Sequence, residues 1–330
     1  MFKVKTGGKL YLAGEYAILE PDQTALIKNI PIYMTGEIAS ADRYQLSSDM
    51  FDYSVDMTPD DHYSLIQEVV MVMEEWLRGQ DQSIHPFTLS ITGKLEKDGL
   101  KFGIGSSGSV VVLTIKAMAA LYDIDLKPDQ LFKLSSYVLL KRGDNGSMGD
   151  VACIAYDNLI AFTAFDRGQV ACWISQLPLR DVLEKDWGYT VEPVHTDLVI
   201  DFLVGWTRQP SISKNMINLV KANIDQDFLT QTQNQVQALL FALKTNDKAG
   251  IKASLEAVSQ LLEDLHPAIY TGSLQELKLA SQGLDIVAKS SGSGGGDCGI
   301  ALSFSPQDSQ LLIDRWAQAG IECLIKETLS

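Results

Sequence analysis

Short alternating runs of apolar and polar residues fill the first 60 positions: FKVK, KLYLAG, TALIK, IPIYMTGEIA and RYQLSS, parted by turn residues. A period of two with such punctuation predicts strands. Over 62–78 the period changes. Leu65, Ile66, Val69, Val70, Met73, Trp76 and Leu77 fall on one helical face, with Gln67, Glu68, Glu74 and Glu75 elsewhere, which predicts an amphipathic helix. FTLSITG (87–93) predicts a strand. A helix over about 107–122 is apolar almost all round and is therefore expected to be buried. A second helix spans about 128–141 and ends at KRG. VACIAY and NLIAFTA (151–164), turning at Asp157-Asn158, read as a hairpin. DLVIDFLVGWT (197–207) is a strongly apolar strand. Helical patterns follow at 213–224, 227–244, 248–264 and 268–282. LDIVAK, CGIALSF and IECLI are then expected as strands, with a helix over 307–319. The class is α+β, arranged as two lobes, 1–190 and 191–330, joined near 180–200, with no internal repeat.

Composition narrows what such a fold can do. The chain has 330 residues, 46% of them hydrophobic, and a formal net charge of −15. That charge argues against nucleic acid or an anionic membrane as partner. The N-terminal residues lack the apolar core of a secretory signal, and no run of 18 apolar residues occurs, since Lys116 interrupts the best candidate. Cys153, Cys172, Cys298 and Cys323 are scattered without metal-ligand spacing, and the four histidines form no H-E-x-x-H. A cytoplasmic protein with reduced thiols is expected.

Three glycine-rich stretches stand out. FGIGSSGSV (102–110) runs straight into the buried helix. A helix start carries unpaired N–H groups and partial positive charge, so it is a ready anion site. Glycines allow close backbone approach, and serines add hydroxyl donors. Taken alone, the loop is either a phosphate cradle or a flexible helix start. No Lys follows Gly108, so it is not a Walker loop, and its glycines miss the dinucleotide fingerprint. SSGSGGGDCG (290–299) joins two apolar strands, where a mere linker fits poorly. KRGDNGSMGD (141–150) packs two bases, two acids, an amide and three glycines into a bend; there Asp150 is either a cap or a working carboxylate. GGKLYLAGEYAIL (7–19) puts Lys9 at the start of a strand and Gly14-Glu15 at its end.

In order and spacing this set resembles the galactokinase, homoserine kinase, mevalonate kinase and phosphomevalonate kinase superfamily, over essentially the whole chain. KLYLAGEYAIL matches its first motif, GIGSSGS its second and SSGSGGGDCG its third. LLKRGDNGSMGD and AKSSGSGGGDCGIALSF are similar to the bacterial branch that acts on phosphomevalonate. The resemblance implies a two-lobe fold: an N-terminal lobe like domain 2 of ribosomal protein S5 and a ferredoxin-like C-terminal lobe. It implies ATP, Mg²⁺ and phosphomevalonate as ligands.

Residue by residue, the resemblance assigns Gly103, Gly105, Ser106, Ser107, Gly108 and Ser109 to the ATP phosphates, with Ser107 on Mg²⁺. It places Lys9 beside the reacting phosphate and Asp150 facing the acceptor. Lys101, two residues before the loop, is close enough to reach a bound phosphate. Arg142, Asn145, Ser147, Ser213, Ser291, Gly292 and Ser293 are expected on the acceptor side, with Lys214 a further candidate cation. One departure stands out: mevalonate kinases carry a metal-holding glutamate eleven residues before this aspartate, and here the residue is Leu139. Mevalonate kinase, diphosphomevalonate decarboxylase and a non-catalytic nucleotide or metabolite sensor remain as alternatives; intact Lys9, Ser107 and Asp150 argue against the sensor.

Overall fold

One long strand organises the first half of the molecule. In the computed structural model, which describes residues 1–211 and 213–329 apart from the side chains of Ser213 and Lys214, β1 (Phe2–Ala13) runs antiparallel to β2 (Thr24–Ser40). The two runs TALIK and IPIYMTGEIA are one strand, not two. Pro31, which cannot donate to a ladder, falls where the β1–β2 register shifts between Thr6 and Gly8, so the strand continues through it.

After β2 come β3 (Gln45–Ser48), β4 (Ser54–Val55), α1 (Ser64–Arg78), β5 (Phe87–Thr92), the small hairpin β6 (Glu96–Lys97) and β7 (Leu100–Lys101), α2 (Ser106–Leu121) and α3 (Pro128–Lys141). Then follow α4 (Gly149–Tyr156), β8 (Leu159–Thr163), α5 (Arg167–Gln176), α6 (Leu179–Glu184) and β9 (Thr190–Pro193). The sheet order is β4-β3-β5-β2-β8-β9. β1 pairs with β2 over residues that also pair with β5 and β8, so β1 lies on one edge of β2 and those two share the other.

α2 lies on β1 and β2 and touches α1, α3 and α4. Val111, Val112, Leu113, Ile115 and Met118 are all buried, as its all-round apolar pattern requires.

VACIAY is not the first strand of a hairpin; it is helix α4. A six-residue apolar run carries no period that separates a buried strand from a buried helix. Here left-handed residues at both ends, Met148 (φ 66°) and Asp157 (φ 53°), bound a short helix. The elements α5, α6 and β9 fill a stretch for which the pattern predicted nothing.

The second half builds a four-stranded antiparallel sheet in the order β11-β12-β10-β13, from β10 (Asp201–Trp206), β11 (Ile286–Ser290), β12 (Cys298–Ser303) and β13 (Glu322–Thr328). Its helices are α7 (Ser213–Val220), α8 (Gln226–Lys244), α9 (Lys248–Leu265), α10 (Gly272–Leu279) and α11 (Pro306–Gln318). The last two strands and the helix between them fall close to the sequence expectation. α10 is shorter than the 268–282 pattern, because Thr271 caps its start.

The seam between the sheets is closely tied. Glu322 pairs with Lys97 (2.7 Å) and Arg208 (2.5 Å), Lys28 lies 3.3 Å from Glu327, and Phe102 meets Trp206 edge-on at 5.0 Å. Among the described residues, no helix is long and apolar enough to cross a membrane.

Candidate active site

The first turn of α2 is left open. Its N-cap is Gly105, with φ 87°, and the helix start has neither a side-chain cap nor an acidic residue in its first turn. The left-handed backbone favours glycine, and a Cβ there would also sit 3.0 Å from Cε of Lys9. The N–H groups of this turn and its partial positive charge are therefore available to an anion. Ser106 is partly exposed and Ser107 exposed at this point.

Lys9 reaches the same place from β1. Its backbone N–H donates to the Ile104 carbonyl (2.9 Å), which fixes the strand against the loop. The residue is buried, its ammonium stands 5.0 Å from the centre of the Tyr11 ring, and among the described residues no carboxylate comes within 4.0 Å of it. Its charge is left for a ligand.

Asp150 comes from the first turn of α4, which the left-handed Met148 aims at the start of α2. Gly108 lies beneath the Asp150 carboxylate. Burial raises the Asp150 pKa; the Lys9 ammonium opposes that and nearby Asp144 adds to it.

Two cavities meet at this pair. A larger one of about 600 Å³ is walled by Lys101, Gly103 to Ser107, Arg142, Asn145 and Asp297 among others. A smaller one of about 130 Å³ is walled by Tyr11, Glu15, Tyr16, Ser147, Gly292 and Ser293 among others. Lys9, Gly146, Asp150 and Ile217 belong to both walls.

The late glycine-rich loop closes the smaller cavity by clasping β1. The Ser291 hydroxyl accepts from the Tyr11 N–H (2.8 Å) and donates to the Tyr11 carbonyl (2.9 Å). The Tyr16 hydroxyl donates to the Ser293 carbonyl (2.5 Å). Beneath the loop Lys289 pairs with Glu15 at 2.5 Å, both nearly inaccessible, and Lys289 also donates to the Ser290 carbonyl. The Tyr11 hydroxyl bonds Ser147 Oγ at 3.1 Å, and burial together with Asp150 keeps it protonated.

Most of the residues singled out by sequence come together here. Lys9, Lys101, Gly103, Gly105, Ser106, Ser107, Arg142, Asn145, Ser147, Asp150, Gly292 and Ser293 line one cavity or both. Three do not line either. Gly108 packs under Asp150; Ser109 donates inward to the carbonyls of Gly7 and Gly105; Ser291 is occupied by β1. The Ser213 and Lys214 side chains lie outside the described residues.

Asp297 was missed, although it ends the quoted run of glycines. It is buried, and its Oδ1 accepts from the Ser211 N–H (3.1 Å). Its carboxylate presses so closely on Gly103 (φ 74°) that a Cβ there would lie 2.2 Å from Oδ2. Burial pushes its pKa up to about 6, against the pull of the Ser211 N–H, Lys9 and Lys101. A sequence carries no signal for a carboxylate folded back onto a loop nearly 200 residues away.

The donor set also bears on a metal. Among the described residues no cluster of three or more His, Cys, Asp or Glu is placed to hold one. Leu139 stands in the wall of the larger cavity, where the family resemblance led one to look for a glutamate. What remains is the Ser107 hydroxyl, with Asp144, Asp150 and Asp297 along the same wall. Such a set fits Mg²⁺, which keeps several waters and binds largely through substrate phosphates.

Comparison with known proteins places the fold in a family. Residues 64–158 match the GHMP kinases N terminal domain and residues 239–322 the GHMP kinases C terminal domain. The chain is 54% identical to a Streptococcus pneumoniae phosphomevalonate kinase solved with phosphomevalonate and AMPPNP, over 99% of this chain and 100% of that one, with a TM-score of 0.98. It is 29% identical to a phosphomevalonate kinase of Streptomyces sp. (strain CL190), over 95% of this chain and 93% of that protein. The Lin0012 protein of Listeria innocua is 29% identical over 99% of this chain and 97% of its own, with a TM-score of 0.94.

Proposed function

The chain belongs to the GHMP kinase family, and we infer that it transfers the γ-phosphoryl group of ATP to the phosphate of phosphomevalonate, giving the diphosphate and ADP. The observation that carries this reading is the junction of two cavities at Lys9 and Asp150. The larger cavity, with the open start of α2, takes the nucleotide phosphates. The smaller one takes the acceptor.

The acceptor decides what the residues must do. A phosphate monoester has its second pKa near about 6 and is mostly dianionic at neutral pH, so its attacking oxygen needs no general base. The larger obstacle is bringing two anions together. Phosphoryl transfer is catalysed mainly by positioning and by fixed positive charge. The unpaired Lys9 ammonium supplies that charge at the junction, and Lys101 adds to it along the nucleotide wall; Arg142, expected on the acceptor side, lines only the larger cavity and donates to the Ser64 carbonyl and hydroxyl. Asp150 orients Lys9 and the hydroxyl or carboxylate end of the acceptor. Ser147 and the Gly292–Ser293 backbone bound the acceptor. Ser107 would hold Mg²⁺, which when bound neutralises charge on the phosphoryl oxygens.

The test is ADP release by purified protein with Mg-ATP, run in parallel with 5-phosphomevalonate and with mevalonate, with CO₂ followed in the same tubes. Turnover with 5-phosphomevalonate alone and no CO₂ is expected. Turnover with mevalonate alone would make the protein a mevalonate kinase, and release of ADP with CO₂ in a third tube holding 5-diphosphomevalonate would make it a decarboxylase.

A further inference from the structure

Arg167, the first residue of α5, stands behind the wall of the acceptor cavity. Its Nη1 donates to the carbonyls of Asn145 (2.7 Å) and Gly146 (2.6 Å), and its Nη2 donates to the carbonyl of Leu19 (2.6 Å). These carbonyls belong to two separate segments. Asn145 and Gly146 lie in the bend that carries Ser147 and runs into Asp150. Leu19 ends the short 3₁₀ turn Ala17–Leu19 that follows Glu15 and Tyr16. Leu19 lines the smaller cavity, Asn145 the larger, and Gly146 both.

Among the described residues, no backbone hydrogen bond runs between the two segments. The guanidinium is partly buried, yet among the described residues no carboxylate pairs with it within 4.0 Å. Its charge strengthens hydrogen bonds to neutral carbonyls. The fixed fork of a guanidinium can hold three acceptors in one geometry, whereas an ammonium on a flexible stem cannot.

We propose that Arg167 is a positioning residue for the acceptor: by bolting the 145–146 carbonyls to Leu19 it sets the width of the acceptor cavity and the stance of Ser147 and Asp150. This role rests on the reading of the smaller cavity as the acceptor side. Arg167 lines neither cavity and acts only through the wall. Displacing a wall by about 1 Å can lower a rate by 10²-fold. Asn145 and Gly146 also wall the larger cavity, but the open start of α2 and Lys101 do not depend on Arg167, so nucleotide binding is expected to suffer less than acceptor binding from its loss.

The experiment uses the full chain with Arg167→Ala and Arg167→Lys. It measures kcat and KM for phosphomevalonate, the affinity for AMPPNP, and the thermal midpoint. In both variants kcat/KM for phosphomevalonate is expected to fall by roughly 10- to 100-fold, mostly through KM, with a clearly smaller loss of AMPPNP affinity. Millimolar guanidinium should restore the acceptor KM of Arg167→Ala, and methylammonium should not. Arg167→Lys keeps the charge and most of the stem, so it serves if the alanine variant does not fold. Wild-type acceptor kinetics in Arg167→Lys, or an equal loss of AMPPNP and acceptor binding without guanidinium rescue, overturns the proposal. A wild-type protein inactive on phosphomevalonate sinks the acceptor assignment, and this role with it.

Discussion

Helices α2 and α9 begin in the same way, with a polar turn leading into an amphipathic or buried run, yet their first turns are finished differently. At α9, Asp247 accepts from the Gly250 N–H at 3.1 Å and sets a negative charge against the positive end of the helix. α8 does the same with Asp225 and the Phe228 N–H at 2.8 Å. At α2 the cap is a glycine with no side chain to offer, and no acid stands in the first turn. Where the chain satisfies its own N–H groups, the helix end contributes stability, typically about 1 kcal/mol. Where it leaves them open, that stability is forgone and the same groups serve a ligand. An acidic protein can thus leave a helix end open to phosphate without a basic surface, by capping it with no side chain and placing Lys9 beside it.

The sharpest break in that contrast is to remove the cation from the open end. Lys9→Met should lower kcat by about 10²–10³-fold, the scale of losing one preorganised charge at a transition state. A pH–rate profile that then reveals an essential base near neutrality would show that proton removal, not charge, limits the reaction.

Next in size is to close the open end as α9 is closed. Ser106→Asp should weaken AMPPNP binding by about 10-fold or more while raising helix stability by about 0.3–1 kcal/mol. Calorimetry and thermal unfolding read the two effects separately, and unchanged nucleotide affinity would mean the phosphates lie elsewhere. The mirror change, Asp247→Ala, should cost about 1 kcal/mol of stability with kinetics intact.

Asp297 tests an exception: with Asp150, it is a carboxylate that does approach the open loop. Its pKa is raised from an ordinary 3.8 to about 6, so the folded protein holds this proton more tightly than the unfolded chain. Stability from this group therefore falls as pH rises through about 4 to 6, and the full cost is in place above that. Asp297→Asn should raise the thermal midpoint at neutral pH, by at most about 3 kcal/mol in free energy. The gain should vanish below about pH 4. A gain that persists there would have another cause.

The part of the site that was legible from local chemistry is the glycine loop before α2. Lys9 in a strand and Asp150 after a glycine bend are ambiguous by their immediate neighbours and were singled out only through the family resemblance. The long helices were equally plain, because fifteen or more residues fix a period. VACIAY failed for the opposite reason: a run of six mostly buried apolar residues leaves no polar stripe to count. Asp297 and Arg167 escaped because their work is done on residues far away in the chain. An arginine opening a surface helix looks like any other until three carbonyls are seen to converge on it.

The clasp of Ser291 on Tyr11 joins residues 280 positions apart, and that separation has a meaning in time. Ribosomes add roughly 5–20 residues per second, so about 15–60 s pass between the making of Tyr11 and the making of the loop that ends at Asp297. During that interval the β1–β2 pair and the open start of α2 can form, but the wall contributed by residues 291–297 does not yet exist. On the proposed reading of the two cavities, a nascent chain would hold the open start of α2 well before the smaller cavity is closed, and both walls would be complete only as its last strands are delivered.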